Sequence, residues 1–185
     1  TIHATTQKEE DMLDSERPRF SEFAYQQVFE PANRPTPQEF FDWQVEMLVK
    51  LGIIIKKEAD PFMRKIPKDK YSLGIFKSFS GWELDELLTK IIFRDKRVAC
   101  NRFIKGITDV IAPPTAPYIC IGIEDGRARF DVKPSVSARN IKREKRKAYT
   151  ILHGIYHALS FPEVFGHQAM DLVGSRCTNP LYADI

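Results

Sequence analysis

The sequence predicts an α+β protein, on three observations. Two segments, at 37–51 and 81–93, combine helix-capping residues with apolar side chains at helical spacing. The β-branched run YICIGI at 118–123 is typical of a buried strand. Helices and strands follow one another in mixed order, without the regular alternation that produces a parallel sheet. We therefore expect a single compact domain in which a small, mainly antiparallel sheet packs against helices.

Both predicted helices begin with residues that can satisfy free main-chain amides. Thr36 and Glu39 have the spacing of a capping box, and Pro37 suits the first helical position. Ser80 and Glu83 repeat that spacing before the second helix. The expected buried stripes are Phe40, Phe41, Val45, Leu48 and Leu51 in the first helix, and Leu84, Leu87, Leu88 and Ile91 in the second.

The middle of the chain is predicted to contain strands. We expect an irregular, basic segment between the two helices, ending in a strand near 73–79. The tight-turn sequence EDG lies between 117–123 and 128–132, and it predicts an antiparallel hairpin. Pro134 is expected to end the second strand of this hairpin, and a serine just after it to cap a further helix.

The last part of the chain predicts one more helix and one more strand. Thr150 can cap a helix that continues to about Leu159 and ends at Phe161–Pro162. The segment AMDLV at 169–173 is expected to be a strand that leads to a turn at Gly174.

Charge is distributed unevenly along the chain. Residues 1–30 carry seven acidic and three basic side chains, a balance of −4, whereas the whole chain has a formal net charge of +3, which leaves +7 for residues 31–185. The sequence PANRPTP at 31–37 contains three prolines and marks a boundary. We expect an acidic N-terminal arm at 1–30, partly flexible, followed by a single α+β domain at 31–185.

Composition argues against several classes of protein. The longest apolar runs fall far short of the roughly 20 residues that span a bilayer, so we expect no membrane partner. The N-terminus shows neither the basic nor the apolar region of a secretory signal. Three cysteines without a C-x-x-C pair indicate neither a disulfide framework nor a cysteine zinc site. We expect a soluble cytoplasmic protein with free thiols.

Three of the four histidines lie between residues 149 and 177. His153 and His157 are four positions apart on the predicted helix, so both imidazoles project from one face. With a third ligand from His167, Asp171, Glu163 or Cys177 they could hold a divalent metal such as zinc, although the sequence requires no cofactor. Gly154 excludes the H-E-x-x-H motif of metalloproteases. The alternative is that both helical histidines flank the buried stripe of the helix at its polar edge.

The Gly-Ser-Arg sequence at 174–176 is a second candidate site. Glycine permits close approach of another main chain, and Arg176 could bind a carboxylate or phosphate through two hydrogen bonds. Ser175, His167 and Asp171 have the residue types of a hydrolase triad, but the G-x-S-x-G motif is absent. The alternative is a structural turn with Arg176 in a salt bridge.

Basic residues cluster between residues 139 and 147. The six bases in this stretch, opposed by Glu144 alone, are Arg139, Lys142, Arg143, Lys145, Arg146 and Lys147. Arg143 and Arg146, with Ser175 and Arg176, are the candidate anion-binding residues. A nucleic-acid backbone suits such a surface, although few aromatic residues are interleaved for base stacking and no known nucleic-acid-binding motif is present. The alternative is a solvated helix face.

The second half of the chain resembles a bacterial family of domains of unknown function. The resemblance covers roughly residues 100–180. It is carried by PYICIGI at 117–123, the basic cluster running into YTILHG at 149–154, FPEVF at 161–165 and LVGSRC at 172–177. No activity is assigned to that family, so the resemblance implies a bacterial protein without implying a reaction.

These observations favour a binding or interaction module for an anionic partner, with nucleic acid among the candidates. The acidic arm is expected to compete with that partner for the basic surface. The alternative is a metal-assisted hydrolase, and its expected site consists of His153, His157 and His167 with Asp171 or Glu163.

Overall fold

Helices and short antiparallel strands form the part of the chain that the computed structural model describes, so the predicted α+β class is confirmed. The described residues are 2–3, 35–79, 82–93, 96–97, 99–100, 107–124, 132–161 and 172–177. Apart from residues 2–3, the acidic arm lies outside these ranges, as do most of the predicted turn and most of the second strand of the hairpin.

The helices of this part are α1 Pro37–Lys50, α2 Lys56–Met63, α3 Trp82–Thr89, α4 Pro134–Arg143 and α5 Ile151–Ser160. Its strands form four antiparallel pairs: β1 Ile2–His3 with β5 Ala99–Cys100, β2 Ser72–Ile75 with β7 Tyr118–Ile121, β3 Ile92–Phe93 with β4 Lys96–Arg97, and β6 Ile107–Asp109 with β8 Ser175–Cys177. None of the helices in the described ranges is long and apolar enough to cross a membrane.

The first helix begins and ends where its local sequence predicts. Thr36 and Glu39 form the capping box, and the Thr36 amide donates to Glu39 Oε2 at 2.7 Å. Beyond the last turn, Gly52 adopts a φ of 68°, and the two amides that follow Leu51 donate to carbonyls of that turn. This arrangement is a Schellman motif, in which glycine avoids the strain of the left-handed conformation.

The segment after α1 was predicted to be irregular, but it contains α2. The helix starts where Glu58 Oε2 accepts the Ile55 amide at 2.7 Å, and it packs its buried Ala59 beside α1. The sequence does not indicate this helix, because Pro61 lies inside it and Ile55 has no side chain that could cap it.

The remaining differences concern element boundaries. The helix predicted at 81–93 ends at Thr89, and residues 92–93 form β3 instead. Pro134 is the first residue of α4, where its fixed φ suits a helix and its missing amide costs nothing. Ser175 and Arg176, predicted to form a turn, lie in β8, and the turn precedes them.

Strand β7 pairs with β2, with Ser72 opposite Ile121 and Ile75 opposite Tyr118, a pairing that the sequence did not predict. The amides of Gly122 and Ile123 both donate to the Tyr71 carbonyl and extend this pairing. The hairpin of β7 with residues 128–132 stays a prediction, because β7 has a second edge and most of those residues are not described. Residues 128–131 lie outside the described part.

Helix α5 lies at the centre of the core, and all ten of its residues are buried. Helices α1 and α3 and strand β2 pack against it. At its C-terminal end Phe161 stacks on Phe40 with ring centroids 4.4 Å apart. Leu172 covers Gly154 so closely that an added Cβ would lie 2.6 Å from the leucine side chain. A helix that is enclosed in this way is held by tertiary packing rather than by its own sequence.

A glutamine closes the edge of β2 that faces away from β7. Gln44 is fully buried, its Nε2 donates to the Gly74 carbonyl at 2.9 Å, and its Oε1 accepts the Gly74 amide at 2.8 Å. The side-chain amide therefore occupies the place of a residue in a third strand. Glycine is required opposite it, because a Cβ on Gly74 would lie 2.6 Å from the Phe76 ring.

Replacing Gln44 with alanine should destabilise the protein by about 3 kcal/mol, because two buried main-chain groups of Gly74 lose their partners. Urea unfolding would measure the loss. The matched control on the same helix is Gln38→Ala, since Gln38 bonds Asp42 at 2.8 Å in a part-buried position. Its expected cost is below about 1 kcal/mol. Equal losses for the two variants would contradict this account of Gln44.

Candidate functional site

The N-terminal end of α5 brings together several candidate residues. The helix begins directly after Thr150 and continues to Ser160, which agrees with the prediction. His153 and His157 are both buried, so the expectation that they flank a buried stripe at its polar edge is wrong. The reason is that α5 has no polar edge: neighbouring elements cover every side of it.

His153 is bonded through both of its ring nitrogens. Nδ1 accepts the Thr150 amide at 3.1 Å and lies 2.8 Å from Thr150 Oγ1. An amide N–H can only donate, so Nδ1 carries no proton and the neutral ring is protonated at Nε2. Nε2 then donates to the Tyr118 hydroxyl, which lies 2.9 Å away. A metal at His153 would have to displace one of these bonds.

The surroundings of His153 keep it neutral. Burial lowers the pKa of the imidazole, the nearby carboxylate of Asp109 raises it, and the ammonium of Lys147 lowers it further, with a net downward shift. The Tyr149 ring stacks on the imidazole with centroids 5.5 Å apart. The Tyr118 ring meets it edge-on at 5.8 Å. These contacts suit an uncharged ring that serves as part of the core.

The three-histidine metal site stays a prediction. His157 packs between Tyr149 and Phe161, with ring centroids 6.0 and 5.6 Å away. His167 and the additional candidate ligands Glu163 and Asp171 lie outside the described residues. Within the described ranges, no three histidine, cysteine, aspartate or glutamate side chains are grouped so that they could hold a metal ion.

Ser175 serves the start of α5. Its hydroxyl donates to Asp109 Oδ1 at 2.5 Å and accepts the amide of Ile151, the first helical residue, at 2.7 Å. Ser175 lies directly opposite Asp109 in the pairing of β6 with β8. The hydroxyl proton is therefore directed to a carboxylate, which leaves Ser175 poorly placed to donate to an external anion.

Gly174 permits the close approach of two main-chain segments that a glycine predicts. The segment that it approaches is another part of this same chain. The Gly174 amide donates to the Tyr149 carbonyl at 2.8 Å. A Cβ at this position would lie 2.5 Å from the same carbonyl oxygen and 2.8 Å from that of Ala148. Glycine therefore allows the segment before β8 to lie against the chain that enters α5.

Thr150, His153 and Ser175 form a polar cluster at the start of α5 together with Asp109 and Tyr118. The sequence does not indicate the last two residues. Each lies in a strand far along the chain from α5, and β6 and β7 carry them to its first turn. A lone aspartate and a lone tyrosine carry no motif. Only the strand partners, β8 for Asp109 and β2 for Tyr118, determine where these side chains lie.

Burial shifts the pKa values of several groups in and beside this cluster so that their uncharged forms are favoured. Burial raises the pKa of the Cys120 thiol to about 11, so this cysteine is protonated at neutral pH and is a weak nucleophile. Burial also raises the pKa values of the Tyr118 and Tyr149 phenols above their ordinary range. The cluster has the properties of a structural network that fixes the start of α5, rather than those of an activated nucleophile.

The basic residues occupy a different place. We call residues 139–147 the basic segment; it contains the second half of α4 and the turn that follows. Its six basic side chains, Arg139, Lys142, Arg143, Lys145, Arg146 and Lys147, are all exposed. Arg146 is anchored beside the end of β7, where it donates to the Gly122 carbonyl at 2.6 Å and pairs with Glu124 at 2.7 Å. Arg176, on β8, is exposed as well.

Lys145 has an unusual main-chain conformation. Helix α4 ends in the same Schellman arrangement as α1, with the amides of Lys145 and Arg146 donating to the carbonyls of Lys142 and Ile141. The left-handed position, with φ of 57°, is occupied by Lys145, whereas α1 has Gly52 there. A side chain in this conformation costs about 1 kcal/mol, so the sequence places a cation where glycine would be more stable.

Comparison with known proteins leaves the function to be argued from these residues. No family model matches the chain, and no match was found among the curated proteins or among the solved structures. The resemblance of residues 100–180 to a bacterial family therefore stays a prediction.

His153 should make the stability of the protein depend on pH. The unfolded chain protonates this imidazole below about pH 6.5, whereas the folded state, with its lowered pKa, does not. Stability from this residue is therefore present above about pH 6.5 and falls at lower pH, by at most about 1.4 kcal/mol per pH unit. Urea unfolding between pH 8 and pH 5 would show the slope. His153→Gln should flatten it, and an unchanged slope would count against a neutral His153.

Replacing Ser175 with alanine should cost about 2 kcal/mol, because the Ile151 amide loses its acceptor and Asp109 loses its donor. Ser135→Ala is the matched control, since Ser135 is exposed in α4 and should change stability by less than about 0.5 kcal/mol. Thermal melting of both variants gives the comparison. A Ser175→Ala midpoint equal to that of the control would refute the role of Ser175 at the start of α5.

Proposed function

We propose that this protein is a binding module whose basic segment contacts an anionic partner. The observation that carries the proposal is the exposure of all six cations between Arg139 and Lys147 on one continuous segment. The polar residues at the start of α5, in contrast, are bonded to one another. Binding of a partner is therefore better supported at the exposed basic segment than at the buried polar cluster.

Packing of α4 and the contacts of Arg146 fix the position of the basic segment on the protein. Ser137 is buried, and Ala138 and Ile141 are half-buried, so one side of α4 is packed and the opposite side faces solvent. Arg146 is held by two contacts with the end of β7. The cations on the solvent side of α4 raise the local potential and attract anions.

The alternative hypothesis, a metal-assisted hydrolase at His153, His157 and His167, has less support. Both ring nitrogens of His153 are already used within the fold. Elemental analysis of the purified protein separates the two hypotheses, because stoichiometric metal supports the hydrolase and its absence supports the binding module.

The sequence also supports two coarser proposals. We infer a cytoplasmic location from three cysteines whose odd number and spacing suggest no disulfide framework. The resemblance of residues 100–180 supports a bacterial source.

The protein should bind heparin, a polymer of fixed negative charge, at low salt. The triple variant Arg139→Gln, Lys142→Gln and Arg143→Gln should elute from a heparin column at clearly lower salt than the wild type, since glutamine preserves helix propensity but removes the charge. The matched control removes three exposed cations from the region of α2: Lys56, Lys57 and Arg64, each to Gln. Equal shifts for the two variants would mean that net charge, and no particular surface, determines binding.

A further inference from the structure

We propose that the anionic partner is double-stranded nucleic acid, bound through its phosphate backbone and without sequence specificity. This inference rests on the proposed function of the basic segment. It depends on three features of the described surface: the spacing of the cations, the turn that continues their array, and the kind of apolar side chains that are exposed.

The spacing of the cations suits a row of phosphates. Arg139, Lys142 and Arg143 are three and four positions apart on α4, so they share one exposed face with neighbours about 5–6 Å apart. A duplex carries about one negative charge per 1.7 Å of its axis, so a helix laid against it can neutralise several phosphates at once. The packed side of α4 keeps this face directed to solvent.

The turn after α4 continues the array of cations. Because Lys145 adopts the left-handed conformation, the chain leaves the helix axis, and a non-helical segment leads to α5. Lys145 and Lys147 continue the array there, whereas the charge of Arg146 is paired with Glu124. A glycine in place of Lys145 would relieve the main-chain strain, but it would also remove one positive charge from the surface. Arg146 keeps the segment in place through its contacts with Gly122 and Glu124.

The exposed apolar side chains argue against a single-stranded partner. Proteins that bind single strands stack the bases on aromatic side chains. In the described part of the chain, the large apolar side chains that are exposed are all aliphatic: Val49, Ile55, Ile92, Val110, Ile111, Ile121 and Val136. This described part of the surface can therefore bind the charge of a backbone, but it exposes no aromatic side chain on which bases could stack. A duplex, whose bases are already stacked on one another, requires no such side chain.

The same comparison disfavours an anionic membrane surface. A helix that lies in the membrane interface presents a broad apolar face to the lipid. Among the exposed residues of α4, the one large apolar side chain is Val136, which is 36% exposed and lies three positions before Arg139 on the same side of the helix. The face that carries the cations therefore offers charge with a single valine, which is not the broad apolar face that insertion requires.

The test uses the full chain and four fluorescent or vesicle-based probes: a 20-base-pair DNA duplex, a single strand of the same length, a polyglutamate peptide, and vesicles of phosphatidylserine and phosphatidylcholine. Binding is titrated at several salt concentrations. We expect duplex binding tighter than single-strand binding, with a logarithmic salt slope of about −3 to −5 for the release of counterions from several phosphates. The α4 triple variant should weaken duplex binding at least tenfold in 50 mM salt. It should also reduce the steepness of the slope by about 2 to 3 units.

The outcomes separate this inference from the proposed function. Duplex binding that is lost in the α4 triple variant but kept in the α2 triple variant supports both. Binding of polyglutamate or of the vesicles in preference to the duplex, again lost in the α4 variant, overturns the nucleic-acid inference and leaves the anion-binding module standing. Single-strand binding equal to or tighter than duplex binding overturns the duplex inference as well. If none of the four probes binds in 20 mM salt, both proposals are wrong.

Discussion

The main-chain groups of one short strand, β2, hold the core of this protein together. One edge of β2 pairs with β7, and its other edge has no third strand in the described part of the chain. Instead, Gln44 from α1 bonds both main-chain groups of Gly74. Just past the strand, the Tyr156 hydroxyl from α5 accepts the Lys77 amide at 2.9 Å and donates to the Lys77 carbonyl at 3.2 Å. Two helices are thus fastened to β2 and to the residues just after it. The two Gln44 bonds are buried, where water cannot replace them, and the two Tyr156 bonds are part-buried.

This constraint explains why α5 can be buried on every side. Once α1 and α5 are fixed to β2, β7 on the far edge brings Tyr118 to His153, and the chain before β8 brings Ser175 to the start of the helix. The polar groups of α5 that would be costly in a core, such as those of His153 and Ser160, receive partners within the fold. His153 is therefore part of the scaffold, and the recognition surface that we propose is the one that carries the basic segment.

The two Schellman turns have different residues at the left-handed position. At the end of α1 the left-handed position is glycine, and the turn leads into the core at Ile53 and Ile54. At the end of α4 the same position is Lys145, within residues 142–147, which are all exposed. At the first turn, glycine matches the left-handed conformation of the main chain. At the second turn, a lysine in that conformation lowers the stability of the fold but adds a positive charge. A surface that is selected for binding an anion would show this difference.

Local sequence was sufficient wherever neighbouring residues decide the structure. The start of α1 at a capping box, the start of α5 after Thr150, the strand at Tyr118–Ile121 and the exposed basic segment all follow from residues within a few positions of one another. Tertiary structure decided what depends on distant residues: the partner of β7, the burial of His153 and His157, and the meeting of Asp109 with Ser175. Gln44 shows the limit most clearly. Its place between Phe41 and Leu48 marks it as a polar residue on a buried face, but only the position of Gly74 shows what it binds. Strand pairing joins segments far apart in the chain, and a local pattern carries no information about which edge a strand will meet.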